Sequence, residues 1–448
     1  MEWKQFFEGK RITLMGLGLL GRGVGDAAFL AECGADLLVT DVRDKKTLAP
    51  SLKKLKRYKD IRYMLGEHKL EDFRDRDFIL KAAGVPLHSP YIAEARKQGI
   101  PVYMSTALFA KFALEAGAVV VGVTGTRGKS TVTQMIYHTL LEAKKPAQLG
   151  GNVRGMSTLA MLPAIKKENI YVLELDSWQL QGFGDLSISP NIAVFTNLKV
   201  DHLNYYPDEA AYFADKANIY KFQKAGDTFI AGKSLEKRLG SQIPSARGVI
   251  VRDASSVHWT LNVLGEHNRE NAALAAEALR ALGVSEADIK KGLESFQPVE
   301  GRLQFVRTVN GVDVYNDNNA TTPDATIAAL RALSPLKKGA PHSDARRAVL
   351  ICGGADKGIH LKALADMLND YPLLSAVILL AGTGTEKLKP LLKKKPLEAH
   401  SMQEAVKVAL DSAEKDGVVL LSPGFASFGL FQNEYDRNDQ FMRIVENL

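Results

Sequence analysis

Short apolar runs alternate with longer amphipathic stretches along the chain. In the first part the apolar runs lie at 12–15, 37–40, 78–83 and 100–104, and a glycine-rich turn and a helical stretch join the first two. A short apolar strand, a helix and a second strand in this order form a βαβ unit. The pattern therefore predicts a small parallel-sheet domain of the α/β class at residues 1–110.

The same alternation begins again twice. A chain of 448 residues is too long for one hydrophobic core, so several domains are expected. We predict three α/β domains, at 1–110, 111–299 and 300–448. The stretch 334–347, with its Pro, Gly, Lys and Asp, predicts a surface loop. The further apolar runs that predict strands are 119–121, 171–175, 192–197, 312–315, 348–352, 376–381 and 417–422.

Composition and charge exclude several classes of protein. Hydrophobic residues make up 46% and charged residues 24%, as in ordinary globular proteins. The net charge of +7 comes from scattered Lys and Arg, and the runs at 53–59 and 393–395 read as solvated helix faces, so no nucleic-acid partner is expected. The two cysteines, Cys33 and Cys352, read as buried apolar residues. Without a signal core or a span of roughly 20 apolar residues, we expect a cytoplasmic protein with no membrane partner.

The first glycine-rich turn, Gly16-Leu17-Gly18-Leu19-Leu20-Gly21, fits the pattern G-x-G-x-x-G, and Asp41 follows at the end of the second apolar run. Glycines let the backbone approach a diphosphate at a helix N-terminus, and the acid can accept from a ribose hydroxyl. Alone, this segment favours NAD. The same geometry holds other nucleotide diphosphates, UDP included, and a purely structural tight turn is the remaining alternative.

A second glycine-rich loop, Gly125-Thr126-Arg127-Gly128-Lys129-Ser130-Thr131, also follows an apolar run and precedes a helix. Its amides, ammonium and hydroxyl can cradle the phosphates of ATP, with Lys129 at the transferred phosphate and Ser130 on Mg²⁺. It departs from the general G-x-x-x-x-G-K-[ST] pattern, because Val123 stands where the first glycine is expected.

The form Gly122-x-Thr-Gly-Thr-x-Gly-Lys-Ser-Thr131 resembles the loop of the Mur ligases and the related folylpolyglutamate synthetases, and further matches occur in that family's order. For catalysis, the resemblance implies that Lys129 and Arg302 contact the ATP phosphates and that Lys216 is carbamylated by CO2. It also implies the other matched roles: Asn152 near the substrate, Ser130, Glu174, His202 and the Lys216 carbamate on two Mg²⁺ ions, Asn268 and Asn271 on ATP, and Asp317 on its ribose.

The resemblance covers nearly the whole chain. It implies a Rossmann-like UDP-binding domain, a central P-loop ATPase-type sheet, and a Rossmann-like third domain that closes over ATP. Asp41 and Arg43 match its uracil-side pair, beside Gly16, Leu17, Gly18 and Leu19. The segments around Lys357 and Ser427 resemble those that hold the amino acid in the glutamate-adding member, and the residues implied for that role are Thr321, Lys357, Ser427 and Phe428.

The implied reaction is ATP-dependent addition of D-glutamate to UDP-N-acetylmuramoyl-L-alanine through an acyl phosphate, by a cytoplasmic monomer of peptidoglycan synthesis. A related ligase that adds L-glutamate or another amino acid is the first alternative. An NAD-dependent oxidoreductase would leave the second loop without a role. A P-loop switch or motor protein would not use Lys216, Asn268 or Arg302.

Three positions depart from the family pattern. Asn319, in Asp317-Asn318-Asn319-Ala-Thr321, stands where the family has a lysine, so that charge must come from elsewhere. Glu434 stands where a phenylalanine packs on the substrate, which places an acid near an anionic amino acid. Ala82-Ala83-Gly84 replaces Ser-Pro-Gly and removes a hydroxyl from the expected UDP site.

Overall fold

The computed structural model describes residues 2–86, 88–199, 201, 205–240, 247–251, 258–333 and 346–448. The strands are β1 (Arg11–Met15), β2 (Asp36–Asp41), β3 (Arg62–Leu65), β4 (Phe78–Lys81), β5 (Val102–Tyr103), β6 (Val119–Thr124), β7 (Ala147–Gly151), β8 (Ile170–Glu174), β9 (Ile192–Phe195), β10 (Thr228–Gly232), β11 (Arg247–Val251), β12 (Gln304–Val309), β13 (Val312–Asn316), β14 (Ala348–Gly353), β15 (Leu374–Leu380), β16 (Leu397–Ala399) and β17 (Val418–Leu421).

The helices lie between the strands. They are α1 (Glu2–Phe7), α2 (Arg22–Glu32), α3 (Ala49–Leu55), α4 (Pro90–Lys97), α5 (Ser105–Glu115), α6 (Lys129–Glu142), α7 (Ser177–Asp185), α8 (Glu209–Ala217), α9 (Glu236–Leu239), α10 (Glu266–Ala281), α11 (Glu286–Ser295), α12 (Pro323–Leu333), α13 (Lys362–Asp370), α14 (Thr383–Leu388), α15 (Met402–Asp411) and α16 (Glu434–Glu446).

The strands form three sheets, with orders β3-β2-β1-β4-β5, β11-β10-β9-β6-β8-β7 and β12-β13-β17-β14-β15-β16. The first two sheets are parallel throughout. In the third, β12 pairs antiparallel with β13 and the remaining pairs are parallel. The predicted α/β class with parallel sheets is therefore confirmed.

Burial explains which strands form the centre of each sheet. Every residue of β8, β9 and β14 is buried, and these strands consist largely of Val, Ile, Leu and Ala. Continuous apolar strands of this kind are typical of parallel sheets covered on both faces. By contrast, the edge strand β3 has no fully buried residue. Both cysteines are buried, as predicted.

The chain divides into two compact units. The first comprises Met1–His258 with Glu270–Leu293 and holds the first two sheets, and the second comprises Trp259–Arg269 with Glu294–Leu448 and holds the third. Helix α5 crosses the predicted boundary at 110, which, like the boundary at 300, stays a prediction. His202 and most of the loop predicted at 334–347 lie outside the described residues. Within the described part of the chain, no helix is long and apolar enough to span a membrane.

Inside the first unit, helix α2 packs directly on residues 155–157, in the loop after strand β7 of the second sheet. A Cβ atom at Gly25 would lie 2.5 Å from the Cβ atom of Ser157, so the two backbones approach too closely for a larger residue. The Ser157 hydroxyl donates to the Asp26 carboxylate at 2.6 Å. Burial raises the pKa of Asp26 to about 6. The first two sheets thus meet at a close, hydrogen-bonded contact.

Candidate active site

The second glycine-rich loop joins the end of β6 to the start of α6 and can be built only with glycine at two positions. Gly125 has φ +145° and Gly128 has φ +82°. A Cβ atom at Gly125 would lie 1.9 Å from Thr196 Oγ1, and one at Gly128 would lie 2.3 Å from Asn271 Oδ1. The loop therefore wraps closely against the end of β9 and against α10, where Asn271 lies beside Gly128.

Asn197, just after β9, fixes the loop's backbone. Its carbonyl accepts from the Thr126 amide at 2.9 Å, and its side-chain oxygen accepts from the Arg127 amide at 2.9 Å. Its side-chain amide donates to the Arg127 carbonyl at 3.1 Å. The first amides of α6 have no partner within the helix, as at any helix N-terminus, and this arrangement favours an anion.

Two lysines meet at the carbonyl of Gly125. Lys129 Nζ donates to it at 3.0 Å, and Lys216 Nζ, from the last turn of α8, donates to it at 2.9 Å and to Thr124 Oγ1 at 3.2 Å. Lys216 is only 1% exposed. Its burial, together with the nearby Lys129 charge, lowers the pKa of Lys216 well below the ordinary lysine value. A neutral amine, which is the nucleophilic form, is therefore favoured at Lys216.

Carboxylates surround these lysines. Glu174, at the end of β8, is 7% exposed and its Oε1 accepts from the Asn152 side-chain amide at 3.3 Å. Asp201 is also buried and lies 3.4 Å from the Arg127 guanidinium. Among the described residues, no three His, Cys, Asp or Glu side chains form a metal cage. Because Mg²⁺ is usually held by one or two carboxylates plus substrate phosphates, Glu174 and the Ser130 hydroxyl beside the loop fit such a site.

The first glycine-rich turn lies between β1 and α2 and is fixed by Asp41. The carboxylate of Asp41 accepts from the Gly18 amide and from the Arg43 amide, both at 2.9 Å. Leu17 is 1% exposed, so only its backbone can meet a ligand, whereas Leu19 is 40% exposed. A Cβ atom at Gly16 would lie 2.8 Å from the Cβ atom of Ala82, which brings the departure at 82–84 against this turn.

His68 is a residue of this region that sequence analysis missed. Its Nδ1 lies 2.7 Å from Thr40 Oγ1, next to Asp41. Its ring packs edge-on against Tyr91 with a centroid distance of 5.1 Å, and burial lowers the pKa of His68. A single histidine outside any motif has no spacing signal, so only the fold reveals this ring beside Thr40.

In the second unit, Asp317 lies at the end of β13 and is 9% exposed. Its carboxylate accepts from the Ser422 hydroxyl at 2.8 Å and from the Leu303 amide at 3.0 Å. Burial raises the pKa of Asp317 to about 7, and the charge of Arg302 opposes this shift. Asn268, predicted with these two for ATP, donates to the Leu264 carbonyl at 2.8 Å. The Arg302 charge therefore acts on Asp317, and the roles of both residues at ATP stay predictions.

The raised pKa predicts how Asp317 affects stability. Its folded pKa of about 7 exceeds the ordinary 3.8, so its contribution is present below about pH 4 and is lost as pH rises through 7. Between about pH 4 and 7 the wild-type protein should lose up to about 1.4 kcal/mol of its free energy of unfolding per pH unit through this group. Asp317→Asn should remove that loss. Denaturant unfolding between pH 4 and 8 measures it, with the exposed Asp411→Asn as control. Equal pH profiles for wild type and Asp317→Asn would contradict the prediction.

The residues predicted to bind the amino acid also lie in the second unit. Lys357 Nζ donates to Thr321 Oγ1 at 3.2 Å. Their neighbouring segments pair through Ala355 and Ala426, whose amides and carbonyls exchange hydrogen bonds of 2.9 and 3.2 Å. This pairing brings the segment of Ser427, which is buried, beside that of Lys357, whereas the Phe428 side chain is 61% exposed. Their roles stay predictions.

Two of the departures, Asn319 and Glu434, adjoin a buried network that Arg437 forms with Asn318. This guanidinium is fully buried and donates to Asn318 Oδ1 at 2.7 Å, to the Asn318 carbonyl at 2.9 Å and to the Phe425 carbonyl at 3.3 Å. Burial lowers the pKa of Arg437 to about 10, and the Glu434 charge opposes this. The Asn318 side chain in turn donates to the Glu434 carbonyl at 2.9 Å. Arg437, which sequence analysis missed, therefore holds the 317–321 loop.

Replacing Arg437 with methionine is expected to lower the free energy of unfolding by about 3 kcal/mol, because the buried Asn318 and Phe425 oxygens lose their donors. Denaturant unfolding of the variant measures this loss. Arg443→Met, on the exposed side of the same helix, is the matched control and should stay within about 0.5 kcal/mol of wild type. A loss in Arg437→Met no larger than in the control would show that the network does not stabilise the loop.

Comparisons with known proteins place these features in a family. Residues 10–104 match the Mur ligase MurD-like N-terminal domain, 123–238 the Mur ligase middle domain, and 301–425 the Mur ligase glutamate ligase domain. The chain is 35% identical to the UDP-N-acetylmuramoylalanine--D-glutamate ligase of Roseiflexus, over 98% of this chain and 99% of the relative. It is 31% identical to the protein of that name from Borreliella burgdorferi, over 97% of each.

Solved structures agree at the level of the fold. The UDP-N-acetylmuramate-alanine ligase of Thermotoga maritima superposes with a TM-score of 0.63 at 19% identity, covering 98% of this chain and 99% of that one. The MurF ligase of the same organism, solved in complex with ADP, gives 0.59 at 18% identity, covering 92% and 94%. The two glycine-rich loops alone left several classes of protein open. The family matches decide between these classes: the chain belongs to the Mur ligase family.

Proposed function

We propose that this protein joins D-glutamate to UDP-N-acetylmuramoyl-L-alanine at the expense of ATP, in the assembly of peptidoglycan. The observation that carries the proposal is the meeting of Lys129 and Lys216 at the Gly125 carbonyl, which sets a phosphate-binding cation beside an amine suited to carbamylation. The names of the relatives from Roseiflexus and Borreliella, matched over nearly their whole length, support the choice of acceptor and amino acid.

The three sheets suit three roles. In the first, the order β3-β2-β1-β4-β5 puts the first glycine-rich turn at the carboxyl end of β1, where the order reverses, as in a Rossmann-like domain that binds a nucleotide diphosphate. We assign UDP to this domain, residues 1–110, with Asn152 from the second sheet near the substrate. Residues 111–299, a P-loop ATPase-type domain, hold ATP. Residues 300–448, a second Rossmann-like domain, bind glutamate.

The reaction has two steps. A carboxylate oxygen of the acceptor's alanine attacks the γ-phosphorus of ATP, the bond to ADP breaks, and an acyl phosphate forms. The glutamate amine then attacks the acyl carbon, phosphate leaves, and the amine gives up a proton as the amide forms. Lys129 and Arg302 stabilise the charge on the transferred phosphoryl group. Asn268, Asn271 and Asp317 orient the nucleotide.

Lys216 supplies a metal ligand once it is carbamylated. Its neutral amine attacks the carbon of CO2, an N–C bond forms, and a proton leaves to solvent. The resulting carbamate presents oxygen, the donor that Mg²⁺ prefers. Ser130, Glu174, His202 and the carbamate would hold two Mg²⁺ ions, and these ions would supply charge that offsets the phosphate oxygens.

The amino acid meets Thr321, Lys357 and Ser427. The Lys357 ammonium, held by the Thr321 hydroxyl, pairs with a carboxylate, and Ser427 donates to the other. Phe428 is the next residue in the chain and would contribute its backbone, since its side chain is exposed to solvent. A cation and two hydroxyls suit an amino acid with two carboxylates.

Product analysis tests the proposal. Purified protein is incubated with ATP, Mg²⁺ and UDP-N-acetylmuramoyl-L-alanine. Separate reactions contain D-glutamate, L-glutamate or no amino acid, and the masses of the products are measured by mass spectrometry. We expect one new amide product that requires both acceptor and D-glutamate. An amide product that forms with L-glutamate but not with D-glutamate would assign the related ligase instead. ATP turnover without the acceptor would overturn ligase function.

A further inference from the structure

One amide side chain, that of Gln181 on α7, connects the first two sheets. Its Oε1 accepts from Lys81 Nζ at 3.2 Å, across the join from β4. Its Nε2 donates to Asp215 Oδ2 on α8 at 2.8 Å and contacts the Tyr205 hydroxyl at 3.5 Å. Both ends of the amide are therefore used, one toward each sheet.

Burying the ammonium group of Lys81 costs free energy. Lys81 ends β4, is 7% exposed, and its strand pairs through Met15 with the strand that leads into the first glycine-rich turn. A cavity of about 340 Å³ at the join is lined by residues that include Lys81, Gln181 and Asp215. A methionine would fill the same space without the cost of desolvating a charge. A role in fixing the positions of neighbouring groups therefore explains this buried lysine better than a gain in the stability of the fold.

The other end of the network reaches the helix that carries Lys216. Asp215 precedes Lys216 in the last turn of α8. That turn is held on one side by the Asp215 bond to Gln181 and on the other by the Lys216 bond to Gly125. Close by, the Tyr205 hydroxyl donates to the Val85 carbonyl at 2.9 Å, a second tie between the segment before α8 and the loop after β4.

We propose that Lys81 and Gln181 are positioning residues that couple the seating of the first sheet to the placement of Lys216 at the ATP loop. When the sheet with the nucleotide-diphosphate turn is docked, Lys81 orients the Gln181 amide, and that amide fixes the last turn of α8. The contacts stand apart from the choice of substrate, and only the activity readout of the test rests on the proposed function.

Gln181→Met and Lys81→Met, singly and together, test the coupling, with exposed Gln98→Met as control. Hydrogen exchange of the intact protein reports on α8 without any substrate. We expect faster exchange over 209–217 in both single variants, an effect in the double variant no larger than in either single one, and no change in the control. In the ligase assay, kcat should fall about 10-fold with the KM for ATP unchanged, because misplacement of reacting groups slows the chemical step.

Unchanged exchange over 209–217 in Gln181→Met would overturn the proposal, as would additive effects of the two substitutions. Faster exchange spread over the whole chain, with an equal fall in unfolding temperature, would also overturn it, since it would show loss of stability only. If wild-type protein lacks ligase activity, the proposed function fails, but the exchange pattern still decides the coupling.

Discussion

Lys129→Met is expected to lower the rate of ATP-dependent phosphate release by about 10³-fold, because one preorganised charge aimed at the transferred phosphoryl group is worth this much. Lys129 Nζ is held by the Gly125 and Thr126 carbonyls at 3.0 and 3.4 Å, so the ammonium is already placed at the loop. The measurement is kcat for phosphate release with saturating ATP, acceptor and glutamate. Lys145→Met, exposed at the end of the same helix, should keep wild-type kcat.

A fall of less than about 10-fold in Lys129→Met would contradict the role given to this residue, because a loss that small fits a rim charge. Circular dichroism and the unfolding midpoint of the variant check that it folds. The fold should survive, since the Gly125 carbonyl keeps the Lys216 donor when Lys129 is removed.

Lys216→Arg is expected to lower kcat by at least about 10²-fold, although arginine is also a long basic residue, because a guanidinium does not form the carbamate that would bind Mg²⁺. Burial lowers the pKa of Lys216, which favours the neutral amine that reacts with CO2. Depleting CO2 should therefore slow the wild-type enzyme, and added bicarbonate should restore it. Neither treatment should change the variant.

The matched control for this prediction is Lys221→Arg, exposed shortly after α8, which should respond to CO2 like wild type. Carbon NMR of protein in ¹³C-bicarbonate should show a carbamate signal that Lys216→Arg lacks. If wild-type activity is independent of CO2, no carbamate takes part in the reaction, and Lys216 acts only as a cation beside the loop.

Most inner strands of the sheets were predictable from the sequence, and most edge strands were not. The runs 119–121, 171–175 and 192–197 fall within or overlap β6, β8 and β9, because strands buried on both faces are apolar throughout. Six strands were missed, namely β3, β7, β10, β11, β12 and β16. Of these, β3 is only partly buried and β16 has three residues. The run 78–83 predicts a strand that ends at Lys81 in the structure, before the loop beside Gly16.

The two glycine-rich loops were predictable because their spacing is local and because their backbone geometry needs glycine at Gly125 and Gly128. Lys216 and Glu174 came from the resemblance, since neither has a spacing signal of its own. Arg437 and Gln181 could not be found this way. Arg437 meets Asn318 across 119 residues and Gln181 meets Lys81 across 100, and only the folded chain brings such pairs together.

Transfer of oxygen tests the central claim most directly. UDP-N-acetylmuramoyl-L-alanine is labelled with ¹⁸O in the alanine carboxylate, and the phosphate released during a single round of ligation is weighed. An acyl phosphate requires one labelled oxygen to move to the released phosphate, which is the result expected here. Unlabelled phosphate would show that the carboxylate never attacks the γ-phosphorus of ATP, and the ligase mechanism built around Lys129 and Lys216 would be wrong.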